Sequence, residues 1–145
     1  MTIVSQNFFL MTKPENQHPV DSLLNRDMIP SIWCSGCGIG IVLNTFLQAI
    51  GKLEIDPKSI RILTSRLGCT GRIAEYVRLK NLSVQTDEII SAAEKIRKEK
   101  PDQKIVVFLN DTDFMASCAD LLFKKYPREL KLIVIYVNSF LYNLF

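Results

Sequence analysis

The chain has 145 residues, 48% hydrophobic and 23% charged, with a net charge of +3, which suits one soluble domain with its own core and argues against a nucleic-acid or anionic-membrane surface. The apolar run FFLM (8–11) lacks the basic flank of a signal peptide, and no stretch reaches the roughly 18 apolar residues that cross a bilayer. A cytoplasmic protein is therefore expected, with no membrane or nucleic-acid partner, whose cysteines are thiols rather than disulfides.

Residues 1–30 show no period. NQHPVDSLLNRDMIP (16–30), with its Pro, Asn and Asp residues, reads as an irregular arm before an α/β domain over 31–145. WCSGCGIG (33–40) follows, carrying Cys34 and Cys37 in a C-x-x-C spacing. From Gly38 to Leu53 the apolar residues Ile41, Val42, Leu43, Phe46, Leu47 and Ile50 predict a helix with one broad buried face. IRILTS (60–65) is a β-branched run and reads as a strand. RLGCTG (66–71) reads as a loop carrying Cys69, and IAEYVRLK (73–80) as a short helix. DEIISAAEKIRKEK (87–100) opens on acids and closes on bases, which complements the helix dipole, and Pro101 stops it. KIVVFLND (104–111) is a strand ending at Asp111. DFMASCADLLFKKY (113–126) is a helix with Asp113 as its candidate cap. LKLIVIYVNS (130–139) is the next strand, ending at Ser139.

Strands alternate with helices, and the last two strands are apolar on both faces. That pattern predicts a mostly parallel sheet with helices on both faces. Ligands of such sheets lie beyond the carboxyl ends of the strands. Three strand ends should thus share one edge: SRLGCT, NDTD and NSFLY.

Two constellations stand out. Cys34, Cys37 and Cys69 could share a soft metal or an iron–sulfur cluster, or simply be buried as small hydrophobes. Asp111 and Ser139, each at a strand end, could hold Mg²⁺ and through it a phosphate, or could cap the following helices. His18 reads as contacting solvent or packing locally, and Cys118 as core.

The pieces together resemble the β subunits of 2-oxoacid:ferredoxin oxidoreductases, particularly the 2-oxoglutarate type. The resemblance lies in HPVDSLLNRDMIPSIWCSGCGIGIVLN (18–44), SRLGCTGRIAEYV (65–77), NDTD (110–113) and NSFLYN (138–143), and covers the chain from about His18 onward. It implies a thiamine-diphosphate-binding-like fold, present as the N-terminal half of the family's subunit and therefore incomplete. It implies thiamine diphosphate held through Mg²⁺, a [4Fe–4S] cluster, an α subunit and ferredoxin as partners, and oxidative decarboxylation of a small 2-oxoacid. By that resemblance Cys34, Cys37 and Cys69 ligate the cluster, whose fourth cysteine belongs to the family's second half. Asp111, Ser139 and the Leu141 carbonyl ligate Mg²⁺. Leu67, Gly68, Cys69 and Thr70 line the cofactor, with Thr112, Asp113, Asn143 and Leu144 near the diphosphate. The family's Gly-Asp-Gly-Asp reads Asn110-Asp111-Thr112-Asp113 here, and its His-Gly-Arg reads Thr86-Asp87-Glu88. Those replacements keep a second expectation in view: a non-catalytic paralogue serving as an assembly or regulatory partner.

Overall fold

The computed structural model describes residues 20–34, 37–113 and 130–138. His18, Cys118, most of the 113–126 helix, Ser139, Leu141, Asn143 and Leu144 lie outside the described residues.

Among the described residues, four strands form one sheet: β1 (Ile60–Ser65), β2 (Lys80–Val84), β3 (Lys104–Asn110) and β4 (Leu132–Val137). Their order is β2-β1-β3-β4. Every pairing is parallel, with Ile62 opposite Asn81 on one side and Val106 on the other, and Phe108 opposite Ile135. β1 and β3 are central and buried along nearly their whole length, β3 as a near-continuous apolar run and β1 with Thr64 and Ser65 buried at its end, as strands covered on both faces are.

Helices cover both faces, as expected. On one face, Ile60, Ile62, Val106 and Phe108 pack under α1 (Ile39–Lys52) and α2 (Ile73–Tyr76), with Phe46 edge-on to Phe108 at 5.3 Å. On the other, Leu63, Ile105, Val107 and Leu109 pack under α3 (Ile89–Glu99) through Ile89, Ala93 and Ile96. A 3₁₀ turn, Thr86–Glu88, leads into α3, and Gln85 and Glu88 form a capping box around it. No helix among the described residues is long and apolar enough to cross a membrane.

Three expectations are corrected. The helix read over 73–80 ends at Tyr76. Val77 is already extended, and the chain enters β2, a strand absent from the sequence reading. β2 is an edge strand with only Leu82 and Val84 apolar, so alternation is too weak to announce it. In α1, Ile41 is 73% exposed, because the buried stripe runs through Ile39, Leu43, Leu47 and Ile50. β4 is not apolar-buried on both faces: as an edge strand it leaves Ile133 and Tyr136 exposed.

The arm is docked from Val20 onward. Val20 and Leu23 are buried, Leu24 bridges Val77, and the Arg78 amide donates to the Leu23 carbonyl at 2.8 Å. Across the sheet, the Arg97 guanidinium donates to the carbonyls of Pro101, Gln103, Leu130 and Lys131. One side chain thus joins the end of α3 to the start of β4.

Candidate cofactor and metal site

Because every strand is parallel, the carboxyl ends of β1, β3 and β4 share one edge. Connections leave β1 toward β2 on one side and reach β3 on the other, so a crevice opens between the β1 and β3 ends. The Cys69 loop and the 110–113 turn meet there.

The loop is fastened from below by hydroxyls. Ser65 and Thr86 share a buried hydrogen bond of 2.7 Å, and the Leu67 amide donates to Ser65 Oγ at 3.1 Å. The Thr86-Asp87-Glu88 segment is therefore architectural in part: Thr86 is buried against Ser65, and Glu88 accepts from the Gln85 amide at 3.2 Å. Gly68, at φ +83, lies flat on the side chains of Asn110 and Asp113; a Cβ there would stand 3.4 Å from Asn110 Oδ1. Only glycine adopts that backbone region readily. Gly71 presses even closer, for its Cβ would fall 2.4 Å from the Ser65 carbonyl oxygen.

After β3 the chain turns directly into a helical segment, Asp111–Asp113, so that Asn110 and not Asp113 stands in the cap position that the sequence reading gave to Asp113. The Asn110 amide donates to Asp113 Oδ2 at 3.0 Å, and the Asp113 amide donates to Asn110 Oδ1 at 3.1 Å. Thr70 Oγ1 also donates to Asp113 Oδ2, at 2.6 Å. Asp113 therefore clasps the Cys69 loop to β3. Its second oxygen, Oδ1, is buried with no hydrogen bond among the described residues. Of the residues read as cofactor-lining, Leu67, Gly68, Cys69 and Thr112 are exposed, whereas Thr70 and Asp113 are fully buried.

Burial pushes the Asp113 carboxyl above its ordinary value, against hydrogen bonds from Thr70 and the Asn110 amide that pull it down. Ser65 adds a smaller pull in the same direction. A raised folded-state value means that the folded protein holds this proton more tightly than the unfolded chain. The associated stability is complete below the ordinary carboxylate value and is lost as pH rises through the folded one. Urea unfolding of the wild type and Asp113→Asn across that range should show the wild type losing ground to the variant as pH rises. A difference that grows in favour of the wild type would reverse the assigned direction.

Asp111 is 3% exposed, and its Oδ1 accepts from the Tyr136 hydroxyl at 2.5 Å. Tyr136 was not singled out in the sequence: within an apolar strand it looks like packing. The pair puts an oriented carboxylate at the end of β3, the donor type that a hard cation requires. That fits Mg²⁺ at Asp111; the other two expected ligands, Ser139 and Leu141, lie outside the described residues.

The three thiols occupy two segments. The Cys37 amide donates to the Cys34 carbonyl at 3.2 Å, and both cysteines open on a cavity beside Trp33 and Ile41. Cys69 opens on a different cavity, with Arg66 and Arg72 on its wall. All three are free cysteines. Among the described residues, no three His, Cys, Asp or Glu side chains gather closely enough to hold a metal ion. A single zinc ion would require its sulfurs to converge within about 2.3 Å of it, which this arrangement does not prepare. A four-iron cluster spaces its ligands more widely, and free thiols on neighbouring segments are the donor type it uses.

No family model matches the chain. It is similar to the 2-oxoglutarate synthase subunit KorB of Methanocaldococcus jannaschii, 35% identical over 127 residues, covering 88% of this chain and 47% of that protein. It is also similar to the 2-oxoacid:ferredoxin oxidoreductase subunit beta of Saccharolobus solfataricus, 32% identical over 114 residues, covering 77% and 37%. Among solved structures, the 2-oxoglutarate:ferredoxin oxidoreductase of Magnetococcus marinus, with 2-oxoglutarate, coenzyme A and succinyl-CoA bound, matches with a TM-score of 0.69 at 23% identity, over 92% of this chain and 44% of that one. The chain spans about half the length of the KorB relatives that it matches at 31–35% identity. By sequence along most of its length, and by an α/β fold with a parallel sheet, the chain is a relative of the β subunits of 2-oxoglutarate and other 2-oxoacid:ferredoxin oxidoreductases.

Proposed function

We propose that the chain serves as all or part of the cofactor-binding β subunit of a 2-oxoacid:ferredoxin oxidoreductase, with 2-oxoglutarate as the favoured substrate class. The observation that carries this reading is the meeting of the Cys69 loop and the Asp111 turn at one sheet edge, in a chain 35% identical to a KorB protein. Thiamine diphosphate, when bound, would supply the nucleophilic and electron-accepting chemistry that decarboxylation of a 2-oxoacid needs. The protein's part is placement. Asp111, oriented by Tyr136, holds Mg²⁺ together with Ser139 and the Leu141 carbonyl. Leu67 to Thr70, clasped by Asp113, form one wall beside the cofactor, and Thr112, Asp113, Asn143 and Leu144 border the diphosphate. Cys34, Cys37 and Cys69 would supply three of the ligands of a [4Fe–4S] cluster, whose chemistry when bound would be electron transfer toward ferredoxin. An α subunit completes the site, as the word subunit in the relatives' names supports.

A second reading is a non-catalytic assembly or regulatory partner of the same complex. The observation that favours it is the Asn110–Asp113 interlock, which fills with side chain a turn that the family pattern leaves to glycine.

Thermal unfolding with thiamine diphosphate and Mg²⁺ separates the two. A ligand that binds only the folded state adds about 2.7 kcal/mol at one hundred times its dissociation constant. A rise in the unfolding midpoint that requires both additions supports the cofactor-binding reading. An unchanged midpoint at millimolar concentrations of both turns the assignment to the second.

A further inference from the structure

Trp33 is the chain's one tryptophan, and it touches three elements at once. Its indole Nε1 donates to the Cys69 carbonyl at 2.9 Å. Its ring stacks on Tyr76 of α2 with centroids 4.5 Å apart and planes tilted by 31°. Its edge lies over Gly40 of α1, where even an alanine Cβ would stand 3.7 Å from Trp33 Cε3. The neighbouring residue is tied as well, since the Ile32 amide donates to the Tyr76 hydroxyl at 3.1 Å. These contacts connect two segments that are far apart in sequence, and Trp33 immediately precedes Cys34.

We propose that Trp33 is a positioning residue that fastens the segment carrying Cys34 and Cys37 to the Cys69 loop, so that protein contacts alone fix the separation of the two thiol-bearing segments. As a role toward a cluster, this rests on the proposed function; as a clasp between thiol-bearing segments, it does not. The physical case is one of rigidity. Cys34 and Cys69 are exposed, so their side chains do not fix the distance between the segments. The indole does so instead, through one directed hydrogen bond and a broad ring contact, with few rotatable bonds. Asp113 and Thr70 hold the Cys69 loop from within, and Trp33 holds it from outside. Segments docked in this way leave less of the assembly of a site to the binding step.

The test is a crosslinking measurement on the metal-free chain. The reduced protein is treated with bismaleimidoethane, a short thiol-to-thiol linker, and peptides joining Cys34 or Cys37 to Cys69 are quantified by mass spectrometry. Trp33→Phe keeps an aromatic ring and removes the N–H donor. The yield of these links should fall roughly fivefold, the effect of losing one hydrogen bond from a docking equilibrium, while the thermal midpoint stays near that of the wild type. Because Trp33 stands alone, global replacement of tryptophan by 3-benzothienyl-alanine offers a second variant with the same bicyclic shape and no donor, and the same fall is expected. An unchanged yield in a folded variant overturns the proposal. Reconstitution with ferrous iron and sulfide then tests the role toward a cluster. In a wild type that takes up a cluster, the variants should lose iron to a chelator several times faster, and equal rates overturn that role. If the wild type takes up none, the cluster assignment fails, while the crosslinking result still decides the clasp.

Discussion

Replacing Gly71 by alanine should cost about 2–4 kcal/mol of stability, the sum of overpacking and a disturbed buried hydrogen bond. The alanine Cβ would lie 2.4 Å from the Ser65 carbonyl oxygen, nearer than any real contact, and the obstacle is backbone rather than a side chain that can swing away. Either the loop or the end of β1 must move. If the loop moves, Thr70 leaves Asp113. If β1 moves, Ser65 leaves Thr86 and the Leu67 amide. Urea unfolding measures the loss, and Gly51→Ala is the internal control. Gly51 sits inside α1 with nothing within 4 Å of the added methyl, so alanine there should add about 0.5–1 kcal/mol. A loss below that of an ordinary surface substitution at Gly71 would mean that the loop does not rest on Ser65 as described.

The second large effect concerns Asp111. Asp111→Ala should weaken Mg²⁺-dependent binding of thiamine diphosphate on the order of 100-fold, whereas Tyr136→Phe, which removes only the orienting hydroxyl, should weaken it about tenfold. The ordering is the informative part. A carboxylate that ligates the ion matters most, and the phenol that orients it matters less. Isothermal titration with Mg²⁺ present and absent gives both numbers. Equal, small effects would show Asp111 to be a structural partner of Tyr136 and would remove it from the metal site.

Much of the frame was legible in the sequence because it rests on local pattern. β3 is an apolar run of strand length, β1 a short β-branched one, α3 carries its charges in dipole order, and alternation of strand and helix points to parallel pairing. β2 was hidden because a polar edge strand carries little apolar signal, and the helix read through Leu79 and Lys80 overran into it. Ile41 was placed on the buried face because a broad stripe was drawn where a narrower one operates. At the candidate site, the sequence pointed to the strand ends and to the chemistry-bearing residues. It could not disclose what joins them. The Trp33–Cys69 bond, the Asp113–Thr70 clasp and the Tyr136–Asp111 pair all link residues distant in the chain, and each partner looks by itself like core or cap.

The strand order also has a consequence for how the chain acquires its structure. β1 is synthesised first and receives β2 soon afterwards, but its other neighbour is β3, the strand that follows α3. Until β3 emerges, one side of β1 offers unpaired backbone amides and carbonyls, and Ile62 and Leu63 lack the Val106 and Val107 that face them in the finished sheet. Closing that gap spends loop entropy before any long-range contact repays it. The interval between the synthesis of β1 and that of β3 is thus when a nascent chain is most open to pairing with the wrong strand. Variants that weaken α3 should prolong it, since α3 brings β3 back across the sheet.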